Sequence, residues 1–198
     1  MVDRELRGCS WVKLRNARFR NPKHSEFPKV SSSSFSRSSF CQLEIDVRAE
    51  DVIVCTDASI EIVQPLLVLA FDIECMNTNN EFPKPERDAV IQISNVVWNS
   101  SELEPRHEVL FALNSVETSS VDFSVYSFKR ESEMLAAWAD FVRTVDPDVV
   151  TGYNIQDFDI WYLLSRAQRL GLERFAFLGR LRNVRSVVRD VKFKQASK

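Results

Sequence analysis

The strongest hydrophobic pattern in this chain is an uninterrupted apolar run that ends in two acids. Leu66 to Phe71 are six apolar residues in succession, and Asp72, Ile73 and Glu74 follow directly. A short run with this many branched side chains predicts a β-strand buried on both faces. Because side chains alternate along a strand, Asp72 and Glu74 are predicted to point to the same side.

Further strands are predicted on both sides of this run. Residues 41–47 alternate apolar and polar positions, which is typical of a half-buried strand. Residues 89–98, 107–113 and 149–151 are also predicted strands. We expect the first two of these to form an antiparallel meander with the strand that ends at Glu74.

Two later segments carry the apolar spacing of amphipathic helices. The first covers residues 131–145 and is predicted to stop before Pro147, which cannot continue a helix. The second is predicted to open at Asn154, a good N-cap, and to close at Gly171. The order of strands and helices predicts an α/β fold with a mixed sheet flanked by helices.

The net charge of −2 conceals an uneven distribution along the chain. Residues 1–40 carry nine Lys and Arg against three Asp and Glu, and residues 165–198 carry ten against two. Residues 41–164 carry seven against 23. An acidic centre between basic ends suits a cation site whose surroundings contact phosphates, although merely solvated basic ends would give the same pattern.

Composition also sets limits on order and on the kind of site. Seven of the nine residues from Ser31 to Ser39 are serine, so we expect residues 1–40 to be a basic, poorly ordered segment. The four cysteines form no C-x-x-C pair, and there are only two histidines, so any metal is expected to be held by carboxylates. We find no signal peptide and no apolar run of membrane-spanning length, which predicts an intracellular protein.

The pair Asp72 and Glu74 is a candidate metal site. Two carboxylates roughly 6–7 Å apart on one face of a strand repel each other, and a hard divalent cation relieves that repulsion. The alternative is that both acids simply end a strand at the surface. Asp159 adds a third carboxylate at the start of the second helix, next to a strand that is predicted to lie beside Asp72.

Two residues near Asp159 are candidates for binding nucleic acid. The Asn154 amide can bond a phosphate or a sugar, and the Phe158 ring can stack on a base. Each also has a purely structural interpretation, with Asn154 as a helix cap and Phe158 as part of the core.

Together these residues resemble a known family. Residues 71–75 resemble the first exonuclease motif, D-I-E, of family B DNA polymerases, and residues 153–159 resemble the second motif, N-x-x-x-F-D. Four segments are similar to the flanking segments of one eukaryotic branch of the family, namely residues 82–88, 146–152, 162–167 and 177–180. The resemblance runs from about Cys41 to the end of the sequence.

The resemblance implies a fold and a reaction. Residues 66–198 would form part of a ribonuclease-H-like 3′–5′ proofreading exonuclease domain, and residues 41–65 would be the end of an N-terminal domain. Two divalent ions, Mg²⁺ or Mn²⁺, would serve phosphodiester hydrolysis. The resemblance also implies single-stranded 3′ ends and primer–template DNA as substrates, polymerase accessory subunits and a sliding clamp as partners, and a location in the nucleus away from membranes.

The resemblance assigns roles by position. Asp72 would bridge both ions, Glu74 would hold one of them, and Asp159 would support the second. Asn154 and Phe158 would position the frayed strand end.

One family feature has no counterpart after the second motif. The third motif, Y-x-x-x-D, lies on a helix in the family, and no tyrosine follows Tyr162 here. We therefore expect these 198 residues, taken alone, to be inactive as a nuclease. A truncated copy that binds nucleic acid without catalysis is an alternative, and a free-standing nuclease, which would need a fourth acid, is a weaker one.

Overall fold

The computed structural model describes two compact units. The first comprises Met1–Gln64 with Arg180–Arg182, and the second comprises Pro65–Gly179 with Asn183–Lys198. The structure describes residues 6, 8, 10–20, 38–55, 64–78, 81–116 and 122–187.

The first unit contains two antiparallel strand pairs. Strand β1 (Val12–Leu14) pairs with β4 (Val52–Val54), and β2 (Arg18–Arg20) pairs with β3 (Glu44–Asp46). The strand predicted over residues 41–47 is reduced to β3, and the N–H of Cys41 donates to the Ser39 hydroxyl. Strands β1 and β2 lie within residues 1–40, for which composition predicted little order. The prediction for the serine tract at residues 31–37 lies outside the described residues.

The second unit is built on a mixed five-stranded sheet in the order β8-β7-β6-β5-β9. Its strands are β5 (Leu67–Cys75), β6 (Val90–Asn99), β7 (His107–Leu113), β8 (Ser124–Phe128) and β9 (Val149–Thr151). The predicted antiparallel meander of β5, β6 and β7 is confirmed, and β9 runs parallel to β5. Strand β8 was not predicted, because most of its side chains are exposed and its alternation is therefore weak.

Within the described residues, two α-helices accompany the sheet. Helix α1 (Glu131–Val145) has the predicted ends, and its last turn closes at Asp146, which adopts a left-handed conformation. Helix α2 (Asp159–Arg169) does not open at Asn154 as predicted. Asn154 has a φ of 55°, outside the helical region, and the segment that follows it forms turns. Neither α-helix within the described part of the chain has the length and apolar content needed to span a membrane.

The core lies on one side of the sheet. Strand β5 contributes Leu69, Phe71 and Ile73, which pack with Trp138 of α1 and Tyr162 of α2. The side chains that alternate with these along β5 are more exposed. The prediction that the strand is buried on both faces is therefore wrong, because within the described residues the core packs against only one face. This arrangement leaves the acids of β5 accessible.

Candidate active site

The second acid of β5, Glu74, lies where the strand changes its register with β6. Asp72 and Glu74 are both exposed on the side opposite the core, as the alternation predicted. Glu74 pairs with Gln92, whereas Cys75 pairs with Val90, so β6 has one extra residue at this point. Such a bulge bends a strand and redirects its side chains, and bulges are frequent next to active sites.

Asp159 contacts the same strand through a hydrogen bond from the strand's backbone. It is the first residue of α2 and is only 2% exposed, and its Oδ1 accepts the N–H of Ile73 at 3.1 Å. The last pair between β9 and β5 is that of Thr151 with Ala70. Beyond that pair, the Asp159 carboxylate accepts the N–H of Ile73 in place of a β9 carbonyl group. The structure thus brings the acid of the second motif to the strand that bears the acids of the first.

The electrostatics of Asp159 reflect this position. Burial raises the pKa of its carboxyl above the ordinary value, and the negative charge of Asp72 raises it further. The hydrogen bond from Ile73 acts in the opposite direction. A cation close to Asp159 would favour the ionised form of its carboxyl group.

The three acids fit a divalent cation in chemical type. Carboxylate oxygens are the hard donors that Mg²⁺ and Mn²⁺ prefer. Among the residues that the structure describes, however, no three His, Cys, Asp or Glu side chains are gathered closely enough to hold a metal ion. The roles of Asp72, Glu74 and Asp159 as metal ligands therefore stay a prediction.

The loop after β9 passes very close to β5. A Cβ atom on Gly152 would lie 2.3 Å from the carbonyl oxygen of Phe71 and 2.4 Å from Cγ2 of Ile155, so this position has no room for a side chain. The next residue, Tyr153, is 92% exposed. Tyr153 and Asp72 line the same groove on the open side of the sheet. No role was predicted for Tyr153, because the spacing of a residue along the chain does not reveal its exposure.

Asn154 occupies a turn between Gly152 and α2. Its left-handed backbone is tolerated better by asparagine than by most residues, and its carbonyl oxygen accepts the N–H groups of Asp157 and Phe158. Asn154 and Asp157 are both exposed. The predicted helix-capping role of Asn154 is wrong, because α2 begins only at Asp159 and its cap position is Phe158.

Phe158 stands at the border between the core and the surface. Its ring is half-buried and packs against Tyr162 with centroids 5.4 Å apart. On its other side it meets Phe82 edge to face at 5.3 Å. Phe82 is 72% exposed, so the two rings form an aromatic edge that the sequence analysis did not identify. The sequence feature that could have indicated this edge is Phe82 itself, an aromatic residue inside a polar, proline-containing loop.

Comparison with known proteins places these features in a family. The chain matches the family described as DNA polymerase family B, exonuclease domain, over residues 1–198. It is 40% identical over 197 residues to the DNA polymerase delta catalytic subunit of Dictyostelium discoideum. This match covers 100% of this chain and 16% of the relative.

Two further relatives carry the same name. The protein of Mesocricetus auratus is 40% identical over 196 residues, with 98% of this chain and 16% of the relative covered. The protein of Drosophila melanogaster is 39% identical over 194 residues, with 96% and 17% covered. The eukaryotic branch that the flanking segments pointed to is thus confirmed as that of polymerase delta. The chain spans about a sixth of the length of these relatives.

Proposed function

Because this chain belongs to the exonuclease-domain family of the family B DNA polymerases, we propose that it is part of a DNA-synthesising enzyme that removes 3′ nucleotides in proofreading. The observation that supports this most directly is the bond between Ile73 and Asp159. It brings the acid of the second motif to the strand that bears the two acids of the first motif. The proposal assigns DNA primer ends as substrate, accessory subunits and a sliding clamp as partners, and the nucleus as location.

We assign metal binding to the three carboxylates. Asp72 and Glu74 point from β5 toward the open side of the sheet, and Asp159 approaches from α2. When bound, Mg²⁺ or Mn²⁺ ions would activate water and stabilise charge on the phosphodiester oxygens. The protein's own contribution is to hold acids on two rigid elements, one of them fixed by a backbone hydrogen bond.

The strand end would be positioned by the aromatic edge and by Asn154. Phe158 and Phe82 present a ring surface on which a base can stack, and such stacking is tolerant of sequence. The exposed side chain of Asn154 is available to a phosphate or a sugar. The exposed ring of Tyr153 lies on the groove that contains Asp72 and can contact the same strand.

One observation favours a second candidate function. The three acids are not gathered into a metal-holding group within the described residues. A chain with this arrangement can bind single-stranded nucleic acid through its rings and basic residues without hydrolysing it. Calorimetric titration with Mn²⁺ and anisotropy of a labelled single strand together separate the two functions, because digestion is not expected from these 198 residues alone.

Asp72→Ala is the test variant, and Asp157→Asn is the matched control. Asp157 is an exposed acid two residues from Asp159, but it lies on the turn that precedes α2. If the proposal is correct, the chain binds Mn²⁺, Asp72→Ala abolishes binding, and Asp157→Asn does not. Mn²⁺ binding that is unchanged in Asp72→Ala would overturn the metal assignment. Binding of a single strand without any binding of Mn²⁺ would favour the second function.

A further inference from the structure

One stripe of α2 faces the loop that joins β5 to β6. Phe158, Tyr162 and Arg166 recur every four residues, so they lie on the same face of the helix. Each of them contacts the described part of that connection, residues 81–88, which we call the β5–β6 loop. The three contacts differ in kind, and two of them are made to the loop's backbone.

Tyr162 and Arg166 hold the loop by its carbonyl groups. The Tyr162 hydroxyl donates to the carbonyl oxygen of Asp88 at 2.8 Å, and Arg166 Nη1 donates to that of Pro85 at 3.0 Å. All four residues are buried. Because buried polar groups are costly when unpaired, these two bonds hold the loop to α2 at two points.

Arg166 is itself fixed by an acid from another helix. Its Nε and Nη2 atoms donate to the two carboxylate oxygens of Glu131 at 2.8 and 2.7 Å, and both side chains are about nine-tenths buried. Glu131 also accepts the N–H of Val90, the first residue of β6. The guanidinium therefore cannot move independently of α1 or of the end of the loop.

Phe82 lies near the start of the β5–β6 loop, away from the two anchored carbonyl groups. The Phe82 ring has little protection of its own, since it is 72% exposed, and it meets Phe158 edge to face. An exposed ring on an unrestrained loop would have to be ordered when a strand binds, which costs affinity. Anchoring residues 85 and 88 removes part of that cost in advance.

We propose that Tyr162 and Arg166 are positioning residues for substrate binding, acting through Phe82. They hold the β5–β6 loop so that Phe82 stands beside Phe158 and the two rings receive a base together. This inference rests on the proposed function, because it requires that the aromatic edge binds a single strand. It goes further by assigning a role to a buried network that makes no contact with that strand.

A purely structural role predicts a different dependence on Phe82. A buried ion pair is weak evidence for stability, since apolar residues of similar size often serve as well. If the network only stabilised the fold, its loss would weaken strand binding equally with and without the Phe82 ring. If it acts through Phe82, its loss should have no effect once that ring is gone.

The experiment is a double-mutant cycle on the binding of a fluorescently labelled oligothymidylate, measured by anisotropy without divalent metal. Tyr162→Phe and Arg166→Met are each made in the wild-type chain and in Phe82→Ala. We expect each to weaken binding about two- to tenfold in the wild type and to leave binding unchanged in Phe82→Ala. The control is Gln168→Ala, an exposed position of α2, which should leave binding unchanged in both.

The outcomes separate this inference from the proposed function. No binding by the wild-type chain would overturn the proposed function together with the inference. Binding that is weakened by the same factor in both backgrounds would overturn the inference alone. Tyr162→Phe removes only one hydroxyl group, so it completes the cycle even if Arg166→Met fails to fold.

Hydrogen exchange gives a second, independent measurement on the same variants. The amides of Arg87 and Asp88 donate to the carbonyl oxygen of Lys84 inside the loop. We expect Tyr162→Phe to accelerate their exchange while the amides of β7 remain protected. Unchanged exchange in the loop would show that the hydroxyl does not anchor it and would overturn the inference.

Discussion

The N–H of Ile73 donates to the carboxylate of Asp159, which lies 86 residues further along the chain. Asp159 therefore has a structural task in addition to any role with a metal, since it satisfies a backbone donor of the central strand. The two tasks depend on different properties of the side chain. The hydrogen bond needs an oxygen acceptor, whereas cation binding needs the negative charge.

Substitutions at Asp159 should separate these tasks. Asp159→Asn can keep an acceptor for Ile73 and removes a buried charge, so we expect it to fold at least as stably as the wild type while losing Mn²⁺ binding. Asp159→Ala leaves the N–H unpaired and should lower the free energy of unfolding by about 1–3 kcal/mol. Urea denaturation and calorimetric titration measure the two effects. Equal stability of both variants would contradict the structural task.

Gly152 should tolerate no side chain. In Gly152→Ala the new Cβ would lie 2.3 Å from the Phe71 carbonyl oxygen, which is backbone and cannot rotate away. We expect a loss of about 1–3 kcal/mol in the free energy of unfolding, measured with urea. Gly179→Ala is the matched control, because a Cβ at Gly179 has no atom within 4 Å. Equal stability of the two variants would show that the approach of the loop to β5 is loose.

Stability should fall in acid partly because of Asp88. Its buried carboxylate accepts hydrogen bonds from Arg87, the Thr78 hydroxyl and the Lys84 N–H, and these hold its pKa well below the ordinary value of 3.8. The unfolded chain therefore binds this proton more readily than the folded chain. The contribution is complete above the unfolded pKa and is lost as the pH falls from about 4 toward the folded pKa.

Thermal unfolding at a series of pH values checks this direction. Asp88→Asn should be less stable than the wild type near neutral pH, and the difference should shrink as the pH falls below about 4. The contribution of Asp159 to stability should change with pH in the opposite direction. Burial raises the pKa of its carboxyl group in the folded chain, so protonation of this group favours the folded state. A difference between Asp88→Asn and the wild type that stays constant down to about pH 2 would contradict the prediction.

Much of the candidate site follows from local pattern. The alternation of β5 placed Asp72 and Glu74 on one side, and the apolar spacing of α1 with the proline after it located both ends of that helix. These properties depend on residues a few positions apart, so periodicity and turn chemistry are sufficient to predict them. The motifs on β5 and at α2 likewise indicated the family before any contact was known.

The sequence could not reveal what distant segments do to each other. The one-sided core, the turn at Asn154 and the meeting of Phe82 with Phe158 all depend on which elements pack together. In the same way, Asp159 can accept the N–H of Ile73 only because the pairing of β9 with β5 ends before Ile73. By itself the sequence determined which residues carry charge and rings and how they alternate. Only the tertiary structure decided which of them are in contact. Contacts between segments that are tens of residues apart depend on how the whole unit packs.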